Sequence, residues 1–492
     1  MDFLDPNKKR SNKIKLYVGY LLVAIAISMA ALVLLFANAG YRLDKDGKIT
    51  QNSLLFVASH PSGAQAYIEG LYSKYKTQGK TDTKFDLQEG RYRVTIQKNG
   101  YRSWQREMSL EGGSVERLAY PFLFPEKLDT KDLKEYSGES GIVSSSPDRK
   151  WIIVQNPDNL LSFDIFNTSD ITKPNTNFSI PKGILSTGAN QRLEIVEWSS
   201  DNSNILMKHS FNSDTEYVII NKDKPETSLN INALTGQKPS GVSLKDRKID
   251  QVYLHMASGG LLQQVDTKTK LLTPIVPKAL AYKSHGDDML VYVTPSADDE
   301  KQVSVHIATK DKDFELRKLP VADTYLVDVA RFDNSWYIVV GASSDNKVYV
   351  YKDPLNILAI DNPKKSFFAR TLRIENPKHV SFSANARVIA VQSGQSFAVY
   401  DAETDRQYRY QIKEQFDTER YAEWMDGHRL ASSTGKNALV FDFDGINQQK
   451  LMPINPKTDV MFDRDYENAF SFDVANQNNK SHLTQTKLLV DN

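Results

Sequence analysis

The side chains best suited to chemistry in this chain are its eight histidines and a recurrent set of aspartates. His60, His209, His255, His285, His306, His379, His428 and His482 fall on separate expected strands and turns. None has the i, i+4 helical spacing of an H-E-x-x-H zinc site, so each reads as a packing or surface residue. Strands converging on a common centre could still bring distant histidines or aspartates together around a metal. Asp164, Asp266, Asp353, Asp401 and Asp442 each end or closely follow an apolar run at similar phase. Paired carboxylates that hydrolyse glycosides must stand about 5–10 Å apart. Aspartates that accept backbone N–H bonds at recurrent turns explain the same spacing more simply. With no cysteine in the chain, thiol nucleophiles, Cys-ligated zinc, iron–sulfur clusters and disulfides are excluded. There is no G-x-S-x-G elbow. The nearest phosphate-loop candidate, Thr434-Gly435-Lys436, has Asn437 where Ser or Thr belongs and Leu430 in place of the leading glycine. These patterns predict no catalytic residue, no cofactor and no metal ligand.

The elements that would carry these residues begin with a membrane segment. Residues 16–41 contain no charged side chain, and residues 18–37 read VGYLLVAIAISMAALVLLFA. About 20 apolar residues at 1.5 Å rise cross the roughly 30 Å hydrocarbon core. Val18, Leu21, Leu22, Ile25, Ile27, Leu32, Leu34, Leu35 and Phe36 would face lipid, and Tyr17, Tyr20 and Tyr41 suit the interfaces. Lys8, Lys9, Arg10, Lys13 and Lys15 precede the span and outnumber Asp2 and Asp5. The positive-inside rule then keeps residues 1–15 as a cytoplasmic tail and exports the rest. A cleavable signal peptide is the rival, because Ala37-Asn38-Ala39 has an A-x-A form. Its apolar region should run only about 7–15 residues. The lack of a second comparable apolar run predicts a single pass and a lipid bilayer as one partner. The formal charge of +1 over 492 residues gives no basic excess for binding nucleic acid.

Residues 42–53 read as a polar spacer. Asp44-Lys45-Asp46-Gly47-Lys48-Ile49 imitates a calcium loop, but Arg42 and Ser53 stand at its first and twelfth ligand positions, so a hairpin turn is expected instead. From Leu54 the hydrophobic period becomes two, with Tyr92, Val94 and Ile96 on one face of a strand and arginines on the other. Ser59-His60-Pro61-Ser62-Gly63-Ala64, Tyr67-Ile68-Glu69-Gly70, and Leu87, Gly90, Tyr92, Val94, Ile96, Lys98, Gly100, Tyr101 and Trp104 resemble the PEGA domain. Lys74-Tyr75-Lys76-Thr77-Gln78 departs from it where the family often has a Thr-Pro turn. The resemblance implies a small β-sandwich over residues 54–127 that serves as an adhesion or spacing module without catalytic residues. Arg91, Arg93, Lys98, Arg102 and Arg106 are its candidate contacts to anionic lipid headgroups or envelope polymers, although an outward, solvated strand face is the simpler account of them.

Residues 128–492 repeat loosely. An apolar strand ends near Ser or an aromatic, an Asp/Asn turn follows, and further strands complete the unit. Starts occur at Ser145-Ser146-Pro147-Asp148, Trp198-Ser199-Ser200-Asp201, Arg331-Phe332-Asp333, Phe382-Ser383-Ala384-Asn385 and Trp424-Met425-Asp426, with weaker copies near Asp250, Asp287-Asp288 and Asp465. Spacings of about 40–50 residues match a four-stranded propeller blade. The Ser-Pro-Asp start at residues 146–148, followed by an apolar strand, is similar to WD40-like, TolB-type propeller repeats. A mainly β protein is expected, with a propeller of eight blades, or seven, and residues 128–136 completing the last blade. The resemblance implies a non-enzymatic surface protein in which the PEGA-like spacer presents a propeller that binds an envelope protein or cell-wall polymer. The alternatives are a glycan-active propeller enzyme and a TolB-like accessory factor for export or envelope assembly.

Overall fold

The computed structural model describes residues 6–38, 40–43, 49–286, 289–358, 369–416, 420–473 and 480–490. The turn at Asp46-Gly47, the A-x-A position Ala39 and the pair Asp287-Asp288 lie outside them. The chain forms two compact units, one running to Lys127 and taking in Val490, the other spanning Leu128–Leu489.

The first unit opens with one helix, Pro6–Asn38. It starts ten residues before the expected span, because Pro is favourable at a helix's first position and Lys and Arg continue a helix well. It also stops earlier than the expected limit at Tyr41, which begins a strand. At 33 residues it is about 50 Å long. Within Lys13–Asn38 an 18-residue stretch reaches a mean hydropathy of 2.7, and no protein covers it. Val18, Leu21, Leu22, Ile25, Ile27, Leu32, Leu34, Leu35 and Phe36 are all exposed.

The expected spacer is corrected by pairing. Tyr41–Leu43 runs antiparallel to the start of Ile49–Val57, with Tyr41 opposite Gln51, so residues 49–53 belong to a strand. Two four-stranded sheets follow. One orders Lys76–Lys80, Gln65–Gly70, Gly90–Gln97 and Trp104–Leu110, and the other groups Tyr41–Leu43, Ile49–Val57, Thr83–Gln88 and Val115–Leu118. The period-two pattern decides what is buried: Leu55 and Val57 from one sheet, with Ile68, Val94 and Ile96 from the other, have no exposure.

The described residues of the second unit form eight four-stranded antiparallel sheets in chain order. The first contains Val143–Ser145, Trp151–Gln155, Ser162–Asn167 and Thr176–Ser179. Middle strands are buried on both faces, which is why they read as continuous apolar runs instead of alternating. Their alternation is spent differently. Ile152 and Val154 pack against Phe470 and Phe472 of the last sheet, whereas Ile153 packs with Ile205 and Met207 of the second. Tyr337 and Val339 likewise belong to a different cluster from Ile338 and Val340. Successive faces of one strand therefore bind the preceding and following sheets. The last sheet packs on the first, so the array closes as a propeller does.

Closure also joins the two ends of the second unit through strand pairing. Met461–Phe462, Asn468–Phe472 and Ser481–Lys487 supply three strands of the last sheet, and Asp129–Tyr136 adds the fourth, antiparallel to Ser481–Lys487. Thr130 stands opposite Thr486 with their hydroxyls 2.8 Å apart. Lys134 Nζ and the Tyr136 hydroxyl then donate to Asp164 at 2.8 and 3.0 Å, tying this strand to the first sheet.

Candidate functional site

The first strands of successive sheets contact one another, including Arg192–Trp198 with Pro239–Lys245, Ala281–His285 with Tyr325–Phe332, and Val143–Ser145 with Met461–Phe462. Cavities border these axial strands. A cavity of about 560 Å³ is lined by Glu197, Ser243, Arg247, Tyr282, Lys283 and His285. The Glu197 carboxylate accepts the Leu244 N–H, and burial raises its pKa against that bond and the charges of Lys283 and Arg247. Tyr282 shares a 2.9 Å hydrogen bond with Ser243, and burial pushes its phenol up to about 12. Lys283 Nζ lies 3.7 Å from Asp328, whose carboxyl burial also raises.

A second cavity of about 250 Å³ is lined by Ser144, Arg149, Glu423, Trp424, Asp459 and Phe462, among others. Glu423 is exposed to it, yet the surrounding protein and the neighbouring Asp459 push its carboxyl up to about 7. Asp459 is paired with Arg420, whose Nε donates at 3.1 Å. His379 stacks on Tyr421 at 4.4 Å, and burial lowers its pKa to about 4.

The sequence points at this region through a signal that is easy to pass over. Glu197-Trp198 and Glu423-Trp424 are the same dipeptide at the same place in two repeats. Each indole donates to a serine on the preceding axial strand, Trp198 to Ser144 at 3.3 Å and Trp424 to Ser381 at 3.0 Å. The tryptophans mark the repeat, while the glutamates beside them are the ionisable groups.

The recurrent aspartates divide. Asp266 accepts the Lys268 and Thr269 N–H groups as a turn residue, and Asp353 accepts that of Trp336 at 2.7 Å. Asp442 accepts from Asn447 at 2.8 Å. Asp401 combines a turn bond from Glu403 with a bidentate pair to Arg387 at 2.8 and 2.7 Å. Asp164 departs from the turn role: it lies within Ser162–Asn167 and receives Lys134, Tyr136 and Asn175. Several histidines are hydrogen-bonded structural residues. His209 lies 2.8 Å from Glu216 and 3.1 Å from Gln191, and His255 is 2.7 Å from the Ala279 carbonyl. Among the described residues no group of three His, Asp or Glu is arranged to hold a metal. Thr434-Gly435-Lys436 joins two strands, Arg429–Ser433 and Asn437–Asp442, rather than a strand and a helix.

In the first unit the five candidate bases do not share one face. Arg93 stands opposite Glu107 and pairs with it at 2.7 Å, and Arg91 donates to the Tyr72 hydroxyl at 3.1 Å. Arg106 stands opposite the inward-facing Val94 and lies over the Tyr120 ring at 5.5 Å. Lys98 donates to the Ser62 carbonyl at 2.9 Å, and Arg102 is half-buried with its pKa lowered by desolvation. Of the topology bases, Arg10, Lys13 and Lys15 are exposed on the helix; Lys8 and Lys9 lie in its first turns.

This combination defines a mainly β protein with an apolar N-terminal helix and a propeller-type array. Residues 52–122 match the family model of the PEGA domain. No curated protein matches the chain. Solved structures similar to it include an uncharacterized protein from Listeria monocytogenes EGD-e, at 12% identity over 66% of this chain and 93% of that one, with a TM-score of 0.39. Oligogalacturonate lyase from Vibrio parahaemolyticus is similar at 9% identity over 74% and 99%, with a TM-score of 0.37. Apo AztD from Citrobacter koseri is similar at 10% identity over 80% and 97%, with a TM-score of 0.37.

Proposed function

We propose that this chain is a single-pass membrane protein whose PEGA domain and eight-bladed propeller lie outside the cytoplasm, and that the propeller is a non-enzymatic binding module. The observation that carries this reading is a helix whose apolar part protein leaves wholly uncovered, with five bases in its N-terminal part and a PEGA-family domain after it. The axial cavities support binding, because they gather polar and aromatic groups from several rigid strands. The ligand class proposed is an envelope protein or cell-wall polymer. Protease treatment of intact cells tests the topology. Tags after residue 490 should be lost and tags at residue 1 retained; the reverse pattern would sink the reading. Cross-linking of the full chain in cells should recover wall polymer or a structural envelope protein, whereas recovery of secretion machinery favours the accessory-factor alternative.

One observation favours a second reading. Glu423 and Asp459 line one cavity and burial raises both carboxyls, a pair of the residue type that cleaves glycans. Turnover of envelope polysaccharide by the purified chain, abolished in Glu423→Gln, would replace the binding-only view.

A further inference from the structure

The turns that follow the axial strands contain a third cavity, of about 400 Å³, lined by Asp148, Arg149, Lys150, Ala384, Arg464 and Tyr466 among others. These residues come from the first, sixth and eighth sheets, so the cavity reaches across the seventh and lies at the axial opening of the array. Three bases and one acid line it, and Arg149 also borders the second cavity, where Glu423 and Asp459 stand. The acid is already engaged, since Asp148 accepts the Ser146 hydroxyl at 2.6 Å and the Lys150 N–H at 3.2 Å. Arg149 is held in place by the Tyr466 ring, 4.8 Å from its guanidinium, and by a 3.4 Å bond from Nη2 to the Trp424 carbonyl. Its Nη1 is buried and, among the described residues, has no hydrogen-bond partner. A buried guanidinium N–H left unmatched is costly, and a bound oxyanion would satisfy it.

We propose that this axial mouth binds a phosphate group, carried by a monoester or as free phosphate. The local excess of two positive charges matches the charge of about −1.5 to −2 that a monoester carries at neutral pH, and exceeds that of a single carboxylate. Arg149 serves as the fixed donor, and the exposed Lys150 and Arg464 close on the anion from two turns. A phosphorylated sugar and free phosphate present the same group. The proposal deepens the binding reading by naming a ligand chemistry, and rests on that reading for its biological meaning.

Calorimetry on the detergent-solubilised full chain tests it with inorganic phosphate, glucose 6-phosphate and acetate as probes. Phosphate should bind at least about tenfold more tightly than acetate, and glucose 6-phosphate more tightly at pH 7.5 than at pH 5.5 as its second proton, of pKa about 6, is lost. Tighter binding of glucose 6-phosphate than of phosphate assigns the site to a phosphorylated sugar; equal binding assigns it to free phosphate. The double variant Lys150→Gln, Arg464→Gln should lose at least about tenfold in affinity with an unchanged melting temperature. Arg149→Gln should lose more. Equal affinity for acetate, no binding at millimolar phosphate, or full affinity in the double variant would overturn the proposal. None of these outcomes bears on the topology experiment, so the two readings fail separately.

Discussion

Glu423 and His379 titrate in opposite senses, and the protein's pH response depends on both. Desolvation by the surrounding protein and the charge of Asp459 raise the Glu423 carboxyl from its ordinary 4.5 to about 7. Its contribution is fully present below the ordinary value and is lost as pH rises through about 7. Burial lowers His379 from 6.5 to about 4, and His428 similarly. Stability from the neutral histidines is present above 6.5 and is lost as pH falls toward 4. The wild-type curve sums these effects, so its difference from Glu423→Gln isolates the carboxyl. The melting temperature of Glu423→Gln, relative to wild type, should rise progressively between pH 5 and pH 8. A constant offset would show that Glu423 has an ordinary pKa. A separate expectation concerns Arg387, whose partner Asp401 is only 1% exposed. Burial tends to raise the Asp401 carboxyl, but Arg387 outweighs it and holds the net value low. Arg387→Ala leaves that charge without its main partner and should cost about 3 kcal/mol in denaturant titration. A loss below about 1 kcal/mol would place the ion pair with the weak surface pairs.

At the scale of elements, the strand Asp129–Tyr136 decides whether the array closes. Removing residues 481–490 deletes its partner and should lower the melting temperature of the second unit sharply; an unchanged melting curve would refute closure. A gain-of-stability test complements it. The cysteine-free chain allows a single clean disulfide, and Thr130 faces Thr486 in register. T130C with T486C should raise stability by about 2–4 kcal/mol under oxidising conditions only. Much of the strand pattern was legible beforehand. Period-two alternation marked the first unit, and apolar runs ended by Ser or Trp and Asp marked the second, because both patterns follow directly from which faces are covered. Other features were obscured by long-range pairing. Residues 49–53 are polar enough to look like spacer, yet they pair with Tyr41–Leu43 and Thr83–Gln88. Asp164 looked like the other recurrent aspartates because its partners Lys134 and Tyr136 come from the closing strand. The axial cavities were the least legible. They assemble from residues some 40–300 positions apart, and only the repeated Glu-Trp pair hints at them.

For the whole molecule, closure has a consequence in time. The strand Asp129–Tyr136 is made early, and its partner Ser481–Lys487 appears only after some 350 further residues, the separation of Thr130 from Thr486 being 356. At about 5–20 residues per second, synthesis alone leaves the first strand waiting for roughly 20 s or longer. An unpaired strand invites association with other chains. This one reads Asp-Thr-Lys-Asp-Leu-Lys-Glu-Tyr, with five charged residues among its eight. Its side chains remain largely exposed even after pairing. Charge along a waiting edge keeps it soluble and deters wrong partners. The strand least able to build a core is therefore the one whose composition suits a long delay, and the ring can afford to be finished last.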